Sequence, residues 1–384
     1  MTLTLKPYVQ TSPVYVAGAS IESIRQTYGL EEVIKLASNE NPFGPSPRAV
    51  EAIAQAAGGL NRYPPMTDDA LRQALADTLG RGLTPAHFVT GNGGSEVLAM
   101  IAAVFLSPGD EFIISRPTFP MYEITARRAG AHPVYADLDP EQFTYRVDAI
   151  LAAVTGRTRL VYLCSPNNPT GTIITAAQMD ELIRRLPRHV LVVSDEVYFH
   201  YVSSPDYPDS LRYVLEDRNV IIIHSFSKAY GLAGLRLGYA IAPPGLAGYL
   251  ARARQPFHLS QPALSGGLAA LKDQAHLTKT ISLTRQGRAW LSEQLRALRL
   301  AVWPAEGNFI LFKPPFAAAE VSERLLRRGV IVRPMTQFYL PTHLRVTVGE
   351  PEENARFITA LKEVLAELKA EGAPETTDTG PVQG

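Results

Sequence analysis

From about residue 88 the chain repeats one pattern, in which a short apolar run is followed by a segment long enough to form a helix. The runs cover residues 88–90, 112–114, 134–136, 160–163, 190–193, 220–223 and 237–241. Continuous apolar runs of this length are typical of strands buried on both faces, as in parallel sheets. The alternation therefore predicts an α/β fold whose large domain contains a mainly parallel seven-stranded sheet covered by helices.

The pattern stops near residue 265, which predicts a second, smaller domain. A long helical segment over about 276–298 is followed by short strands and two further helices, as in an α+β unit. With 384 residues, 46% of them apolar, the chain is long enough for two cores. We expect an N-terminal arm and a segment joining the small domain in 1–44, a large domain in 45–265, a small domain in 266–369 and a disordered tail in 370–384.

The composition of the chain limits which binding partners and which cellular compartment we expect. Lysine plus arginine and aspartate plus glutamate are equal, at 37 each, so no basic surplus indicates nucleic acid or an anionic membrane. No apolar run approaches the roughly 20 residues of a membrane span. Cys164 is the single cysteine, and the histidines lack the spacing of metal ligands. We therefore expect a cytoplasmic protein without a metal, a nucleic acid or a membrane as its partner.

Four polar stretches follow predicted strands, at residues 91–96, 166–171, 194–198 and 225–228. Ligands of parallel sheets bind at the carboxyl ends of the strands. The four stretches are therefore expected to meet at one edge of the sheet and to form a binding site there.

The stretch from Ser225 to Arg236 has the chemistry of a phosphate site beside a reactive amine. Ser225 and Ser227 offer hydroxyl donors, and Arg236 offers a fork of guanidinium donors. Lys228 is costly to bury unless its charge is paired or its amine forms a covalent bond. A lysine in this setting is what a pyridoxal phosphate Schiff base requires. A surface lysine in a glycine-rich turn explains the same residues equally well.

Each of the other candidate residues has two interpretations, a contact to such a cofactor or an ordinary structural role. Gly94 and Ser95 could hold an anion at a helix N-terminus, or form a simple turn capped by Ser95. Asp195 could pair with a pyridinium nitrogen, or cap a helix. Tyr198 and Asn168 could each form a hydrogen bond to the phenolic oxygen of the ring. Otherwise Tyr198 is an ordinary packed tyrosine, and Asn168 is an asparagine in a turn.

Phe119 and Arg345 are the last two candidate site residues that the sequence indicates without reference to any family. Phe119 could stack on a flat cofactor ring, or be a core residue. Arg345 lies within the apolar run 344–348, where an arginine needs a partner. That partner is a substrate carboxylate or a structural one.

Taken together, these residues resemble the fold-type I pyridoxal phosphate aminotransferases, and most closely the histidinol-phosphate aminotransferase family. The resemblance extends from about Leu5 to Leu368. The motifs that carry it are Leu36-Ala37-Ser38-Asn39-Glu40-Asn41-Pro42, Arg62-Tyr63-Pro64, Ser165-Pro166-Asn167-Asn168-Pro169-Thr170-Gly171, Asp195-Glu196-Val197-Tyr198, the stretch 227–238 and Leu344-Arg345-Val346-Thr347-Val348-Gly349.

The resemblance implies a set of contacts to the cofactor. Lys228 would be the Schiff-base lysine and the proton shuttle, and Asp195 would bind the pyridinium. The remaining contacts that it implies are Tyr198 and Asn168 to the phenolic oxygen, Phe119 to the ring face, and Gly94, Ser95, Ser225, Ser227 and Arg236 to the phosphate.

The resemblance also implies a partner subunit and substrate contacts. Tyr63 would reach the phosphate of the neighbouring subunit, which makes the protein a homodimer with shared active sites. Arg345 would bind a substrate carboxylate, and Arg333 would lie near the distal group of the substrate. Asn41 and Tyr15 are predicted as further substrate contacts.

The implied activity is ping-pong transamination, with histidinol phosphate as the amino donor and 2-oxoglutarate as the 2-oxo acid acceptor. An aromatic amino-acid aminotransferase is the alternative, followed by a pyridoxal-dependent decarboxylase or lyase on the same fold. The pair Gly94-Ser95 and the residues Phe119, His224 and His258 depart from the usual residues of the family. We expect these departures to affect the choice of substrate more than the binding of the cofactor phosphate.

Overall fold

The larger part of the molecule is built on a seven-stranded sheet, and a four-stranded sheet organises the smaller part. The computed structural model describes residues 5–14 and 18–375. Its strands are β1 (Ile34–Lys35), β2 (Phe88–Gly91), β3 (Glu111–Ile114), β4 (His132–Tyr135), β5 (Thr158–Cys164), β6 (Leu191–Asp195), β7 (Val220–Ser225), β8 (Gly238–Ile241), β9 (Ala301–Val302), β10 (Phe309–Lys313), β11 (Val330–Ile331), β12 (Arg333–Pro334) and β13 (Leu344–Thr347). Its helices are α1 (Pro7–Gln10), α2 (Ile21–Tyr28), α3 (Pro47–Ala57), α4 (Asp69–Leu79), α5 (Gly94–Phe105), α6 (Met121–Arg128), α7 (Val147–Ala152), α8 (Ala176–Arg185), α9 (Leu211–Leu215), α10 (Pro244–Ala251), α11 (Gln261–Leu271), α12 (Gln274–Ala297), α13 (Ala318–Arg327) and α14 (Pro351–Ala370).

The large sheet has the strand order β2-β8-β7-β6-β5-β3-β4. β8 runs antiparallel to both of its neighbours, and the other strands run in one direction. In this register Gly238, the first residue of β8, lies beside Gly91 at the end of β2 and Ser225 at the end of β7. The predicted α/β fold with a mainly parallel seven-stranded sheet is therefore confirmed.

Helices cover this sheet on both sides, which explains its continuous apolar strands. In β7, Ile222 packs into the apolar cluster on one face, and Ile221 and Ile223 pack into the cluster on the other. Successive side chains of a strand point to opposite faces, so a strand covered on both sides has no solvent-facing positions.

The smaller part is an antiparallel sheet, in the order β12-β13-β10-β9, packed against α12, α13 and α14. Its core includes the rings of Phe312 and Phe357, whose centroids are 6.1 Å apart. β1 pairs in parallel with β11, which ties the N-terminal segment to this part of the molecule. The stretch 330–333 serves two sheets, because β11 pairs with β1 and β12 pairs with β13.

The predicted domain boundaries stay predictions. α14 continues through Ala370, and Arg324 in α13 contacts Glu371 at 2.6 Å, so the described start of the predicted tail is in contact with the protein. Residues 376–384 of that tail and the predicted substrate contact Tyr15 lie outside the described residues. None of the helices in the described ranges is both long and apolar enough to cross a bilayer.

Candidate active site

A cleft of about 240 Å³ opens where the carboxyl ends of the parallel strands meet residues of the smaller part. All four polar stretches expected at this edge contribute to its wall. The predicted site residues that line it are Gly94, Ser95, Phe119, Asn168, Asp195, Tyr198, Ser225, Ser227, Lys228, Arg236, Arg333 and Arg345.

Two predicted residues in the described part of the chain, Tyr63 and Asn41, are not among those that line the cleft. Tyr63 is 82% exposed, and its ring stacks on Phe257 with centroids 4.6 Å apart. The amide of Asn41 donates instead to the main-chain oxygen of Ala229, at 3.0 Å. Tyr15 lies outside the described part of the chain. The roles predicted for these three residues stay predictions.

Lys228 lies in the turn after β7, with its amine inside the cleft. Its Nζ donates to the main-chain oxygen of Asn39 at 3.1 Å. Burial, followed by the nearby positive charge of Arg345, lowers the pKa of Lys228 to about 8. Near that pH roughly half of the amines are neutral, against about one in 250 for an ordinary lysine. The site therefore supplies a neutral amine that can act as a nucleophile or a base.

Asp195 ends β6 and is held from two sides. The hydroxyl of Tyr122 donates to Oδ2 at 2.7 Å, and the N–H of Val197 donates to Oδ1 at 3.3 Å. Burial raises the pKa of Asp195 to about 6, so the carboxyl is still ionised at neutral pH. A buried carboxylate of this kind is a strong partner for a cationic ring nitrogen.

Tyr198 and Asn168 present polar atoms to the same cleft. The oxygen of Tyr198 accepts a hydrogen bond from Nδ2 of Asn39 at 3.0 Å. Oδ1 of Asn168 accepts from the guanidinium of Arg345, which fixes which end of the amide faces the arginine. Arg345 also donates to the main-chain oxygen of Ala37 at 2.7 Å.

An anion cradle forms where α5 begins. The preceding residue, Gly93, has φ 77°, and no side chain in the described part of the chain caps the helix. A Cβ at Gly93 would lie 2.6 Å from Nη2 of Arg236, so the glycine allows the guanidinium to approach the helix N-terminus. Gly238 is equally constrained, because its Cβ would lie 2.7 Å from the carbonyl carbon of Gly93.

The donors around this cradle suit a phosphate group. Ser225 ends β7 and Ser227 lies two residues further on, where its N–H donates to Oγ of Ser225 at 3.0 Å. Two hydroxyls, one guanidinium and a helix N-terminus together match the charge and the acceptor oxygens of a phosphate. The residues present therefore fit the cofactor that the sequence indicates.

Arg333 and Arg345 form a second cationic region in the cleft. They are opposite one another across β12 and β13, and both are buried. Arg333 also donates to Oε1 of Gln337 at 3.2 Å. Like charges directly opposite on neighbouring strands repel each other, so this arrangement favours an anionic ligand.

Sequence reasoning missed Asn39 and Tyr122 as site residues. Tyr122 follows Phe119, a predicted site residue, by three residues, and that nearness in sequence was the available signal; the two rings meet edge to face at 5.7 Å. Asn39 lies in a motif that the sequence did single out, and its φ of 53° is one that asparagine tolerates better than most residues. Neither pattern reveals which polar group each side chain contacts.

Comparison with known proteins identifies the family. The sequence model of the family described as aminotransferase class I and II matches residues 31–361. The chain is 43% identical, over 365 residues, to a histidinol-phosphate aminotransferase of Moorella thermoacetica, covering 95% of this chain and 92% of that protein. It is also 43% identical to histidinol-phosphate aminotransferase 1 of Nitrosococcus oceani, covering 94% and 96% of the two chains.

A solved structure agrees with these relatives. The histidinol-phosphate aminotransferase of Sinorhizobium meliloti in complex with pyridoxal-5'-phosphate superimposes with a TM-score of 0.85 at 28% identity, covering 96% of this chain and 99% of that one. The resemblance drawn from the motifs and the fold-type I architecture are thereby confirmed. The chain belongs to the class I and II aminotransferases, within the histidinol-phosphate aminotransferase family.

Proposed function

We propose that this aminotransferase uses pyridoxal phosphate to move the amino group of histidinol phosphate to 2-oxoglutarate, a step of histidine biosynthesis. The observation that carries the proposal is the position of Arg333 and Arg345, opposite one another in the cleft that contains Lys228. Two arginines in one cleft suit a donor that carries a phosphate and an acceptor that carries two carboxylates.

The donor set of the cleft supports pyridoxal phosphate as the cofactor. When bound, pyridoxal phosphate supplies an electron sink for the carbon that carries the amino group. Asp195 would keep the ring nitrogen protonated, and Tyr198 and Asn168 would bond the phenolic oxygen. Phe119 would lie against the ring. The groups that would hold the phosphate are Gly94, Ser95, Ser225, Ser227 and Arg236.

Lys228 is the residue that moves the proton. Its pKa of about 8 leaves a large neutral fraction, so Nζ can accept a proton from the substrate carbon and donate it again as an ammonium. The proton need only travel within the reach of one flexible side chain. The main-chain oxygen of Asn39 gives the amine a fixed acceptor between transfers.

The two arginines would serve both halves of the reaction. Arg345 is held by Asn168 and Ala37, so its guanidinium has a fixed position beside the cofactor site. Arg333 extends the cationic surface on the neighbouring strand. The oxo product keeps the phosphate of the donor and leaves before the acceptor enters, so one pair of cations can bind two different anions in turn.

We also propose that the protein is a homodimer with shared active sites. The exposed Tyr63 ring stacks on Phe257 outside the cleft of its own chain, and an exposed aromatic pair suits an interface. In the proposed dimer Tyr63 completes the phosphate site of the neighbouring subunit. The cytoplasmic location expected from the sequence stays a prediction.

The aromatic rings in the cleft favour a second candidate, an aromatic amino-acid aminotransferase. Phe119 and Phe338 both line the cleft and could pack against a phenyl or an imidazole ring. In this alternative Arg345 binds the α-carboxylate, and Arg333 contributes little. A pyridoxal-dependent lyase would instead release its product without keeping the amino group on the cofactor.

A single-turnover panel of amino donors separates these functions. Loaded enzyme is mixed with histidinol phosphate, histidinol, phenylalanine or tyrosine, and the cofactor absorbance is followed without an acceptor. We expect histidinol phosphate to react fastest and histidinol to react poorly for lack of a phosphate. Ready conversion of phenylalanine with no reaction of histidinol phosphate would contradict the proposed substrate, although not the aminotransferase fold.

A further inference from the structure

Asn39 joins residues from both parts of the molecule through every polar atom that it has. Its N–H donates to Oγ1 of Thr347 at 3.0 Å, and that hydroxyl donates to Oδ1 of Asn39 at 3.2 Å. Its main-chain oxygen accepts from Nζ of Lys228 and from Nδ2 of Asn308, each at 3.1 Å. Its Nδ2 donates to the oxygen of Tyr198 at 3.0 Å. The residue is 1% exposed and lines the cleft.

These contacts fix the direction of the bond to Tyr198. Because Thr347 donates to Oδ1, the amide of Asn39 has its oxygen toward Thr347 and its nitrogen toward Tyr198. An amide nitrogen is a donor only, so the tyrosine oxygen must be the acceptor. The single hydroxyl proton of Tyr198 therefore points away from Asn39.

The backbone of Asn39 restricts which residues can replace it. Its φ of 53° lies in the left-handed region, which asparagine and glycine enter at low cost. Glycine can therefore keep this backbone conformation, and with it the main-chain acceptor of Lys228, while removing only the amide. This makes Asn39→Gly a clean test of the side chain.

We propose that Asn39 is a positioning residue that directs the hydroxyl proton of Tyr198 toward the phenolic oxygen of the bound cofactor. The inference rests on the proposed function, because it requires pyridoxal phosphate in the cleft. A hydrogen bond donated to the phenolic oxygen stabilises negative charge there. Without the amide of Asn39, the Tyr198 hydroxyl is free to turn, and this stabilisation is reduced.

The test measures the pH midpoint of the cofactor absorbance change in loaded protein. We expect Asn39→Gly to raise the midpoint by roughly 0.5 to 1 unit, because the cofactor holds its proton more tightly when the phenolic oxygen is less well stabilised. Thr347→Val, which releases the amide without removing it, should raise the midpoint less. Thr347→Ser keeps the hydroxyl and should restore the wild-type midpoint.

Repeating the substitution in a Tyr198→Phe variant shows whether the effect of Asn39 on the pH midpoint depends on the hydroxyl of Tyr198. In Tyr198→Phe protein, Asn39→Gly should leave the midpoint unchanged, because the hydroxyl that Asn39 directs is absent. An equal shift in both backgrounds would overturn the positioning role, and so would a lower melting temperature with no shift. A wild-type protein that shows no cofactor band would overturn the proposed function itself, and this inference with it.

Discussion

Arg333 and Arg345 are direct partners across the antiparallel strands β12 and β13, and both of these buried arginines line the cleft. Their neighbours differ. Arg345 donates to Asn168 and to the main chain of Ala37, whereas Arg333 reaches Gln337, four residues further along the chain. Arg345 is therefore held next to the predicted cofactor contacts, and Arg333 can act on the far end of a substrate.

Replacing Arg333 tests the donor. We expect Arg333→Ala to lower kcat/KM for histidinol phosphate roughly 10- to 150-fold, because a buried hydrogen bond to a charged group contributes about 1.5–3 kcal/mol. Activity with phenylalanine should fall much less. Arg333→Lys keeps the charge but loses the planar fork, so it should recover part of the loss. Equal losses with both donors would point to a structural role for Arg333.

Lys228 should carry the cofactor covalently. Borohydride reduction of the loaded protein is expected to add one pyridoxyl group per chain, and peptide mapping should locate it on Lys228. The Lys228→Ala variant should take up no label, whereas Lys279→Ala, on the exposed side of α12, should be labelled like the wild type. A label on another lysine would refute the assignment.

Tyr63 provides a test of shared active sites. When Lys228→Ala chains are mixed with Tyr63→Phe chains, each hybrid dimer has one site with both lesions and one site with neither. Activity should therefore partly recover above that of either parent, if the exposed Tyr63 acts on the neighbouring subunit as in the proposed dimer. Recovery is measured after co-refolding and compared with mock-mixed parents. A fully active monomer would rule this arrangement out.

The hydroxyl of Tyr122 should matter and that of Tyr162 should not. The two rings stack 5.3 Å apart, but only Tyr122 donates to Asp195. The buried hydroxyl of Tyr162 makes no hydrogen bond within the described residues. Tyr122→Phe removes the hydrogen bond to Asp195, which contributes about 1–1.5 kcal/mol to the stability of the ionised carboxylate. We therefore expect kcat to fall roughly 5- to 10-fold. The pKa of Asp195 should rise further, moving the acid limb of the pH profile upward, while Tyr162→Phe leaves both unchanged.

Asp195 should also make the cofactor-free protein less stable at neutral pH. Burial raises its pKa from 3.8 to about 6, so the folded chain binds more protons than the unfolded chain between those values. Stability contributed by the protonated group is thus lost as pH rises from about 4 to 6. At pH 7.5 Asp195→Asn should increase the free energy of unfolding by up to about 3 kcal/mol.

Urea unfolding at two pH values checks the sign of this effect. The advantage of Asp195→Asn should shrink to roughly a third at pH 4.5, because the folded carboxyl is then almost fully protonated and the charge is no longer buried. Asp77→Asn, which removes an exposed carboxylate of α4, serves as the control for the change from aspartate to asparagine. An advantage that is constant with pH would mean that the substitution acts through packing.

The elements with local signals were predictable from the sequence. Continuous apolar strands such as β7 indicate burial on two faces, and the helix-length segments between the strands indicate the covering helices. The convergence of Asp195, Tyr198 and Lys228 followed from one rule, that parallel strands end at the same edge.

Contacts between distant segments were not predictable in the same way. The pairing of Arg333 with Arg345 depends on the register of two strands, and a shift by one residue would have turned one side chain to the opposite face. Asn39 contacts Tyr198 and Thr347, which are far away in the chain, so its role depends on how the two parts of the molecule meet. No local pattern contains that information.

The position of β8 also sets the order in which the protein can be completed during synthesis. β2 is the first strand of the large sheet to leave the ribosome, yet the neighbour it pairs with there is β8, which is made after β3 to β7. The anion cradle is likewise incomplete when Gly94 has been made, because Ser225 and Arg236 are synthesised later. A nascent chain should therefore gain affinity for the cofactor only when nearly all of residues 88–241 have emerged. The ligand binds at the end of this assembly and cannot guide its early steps.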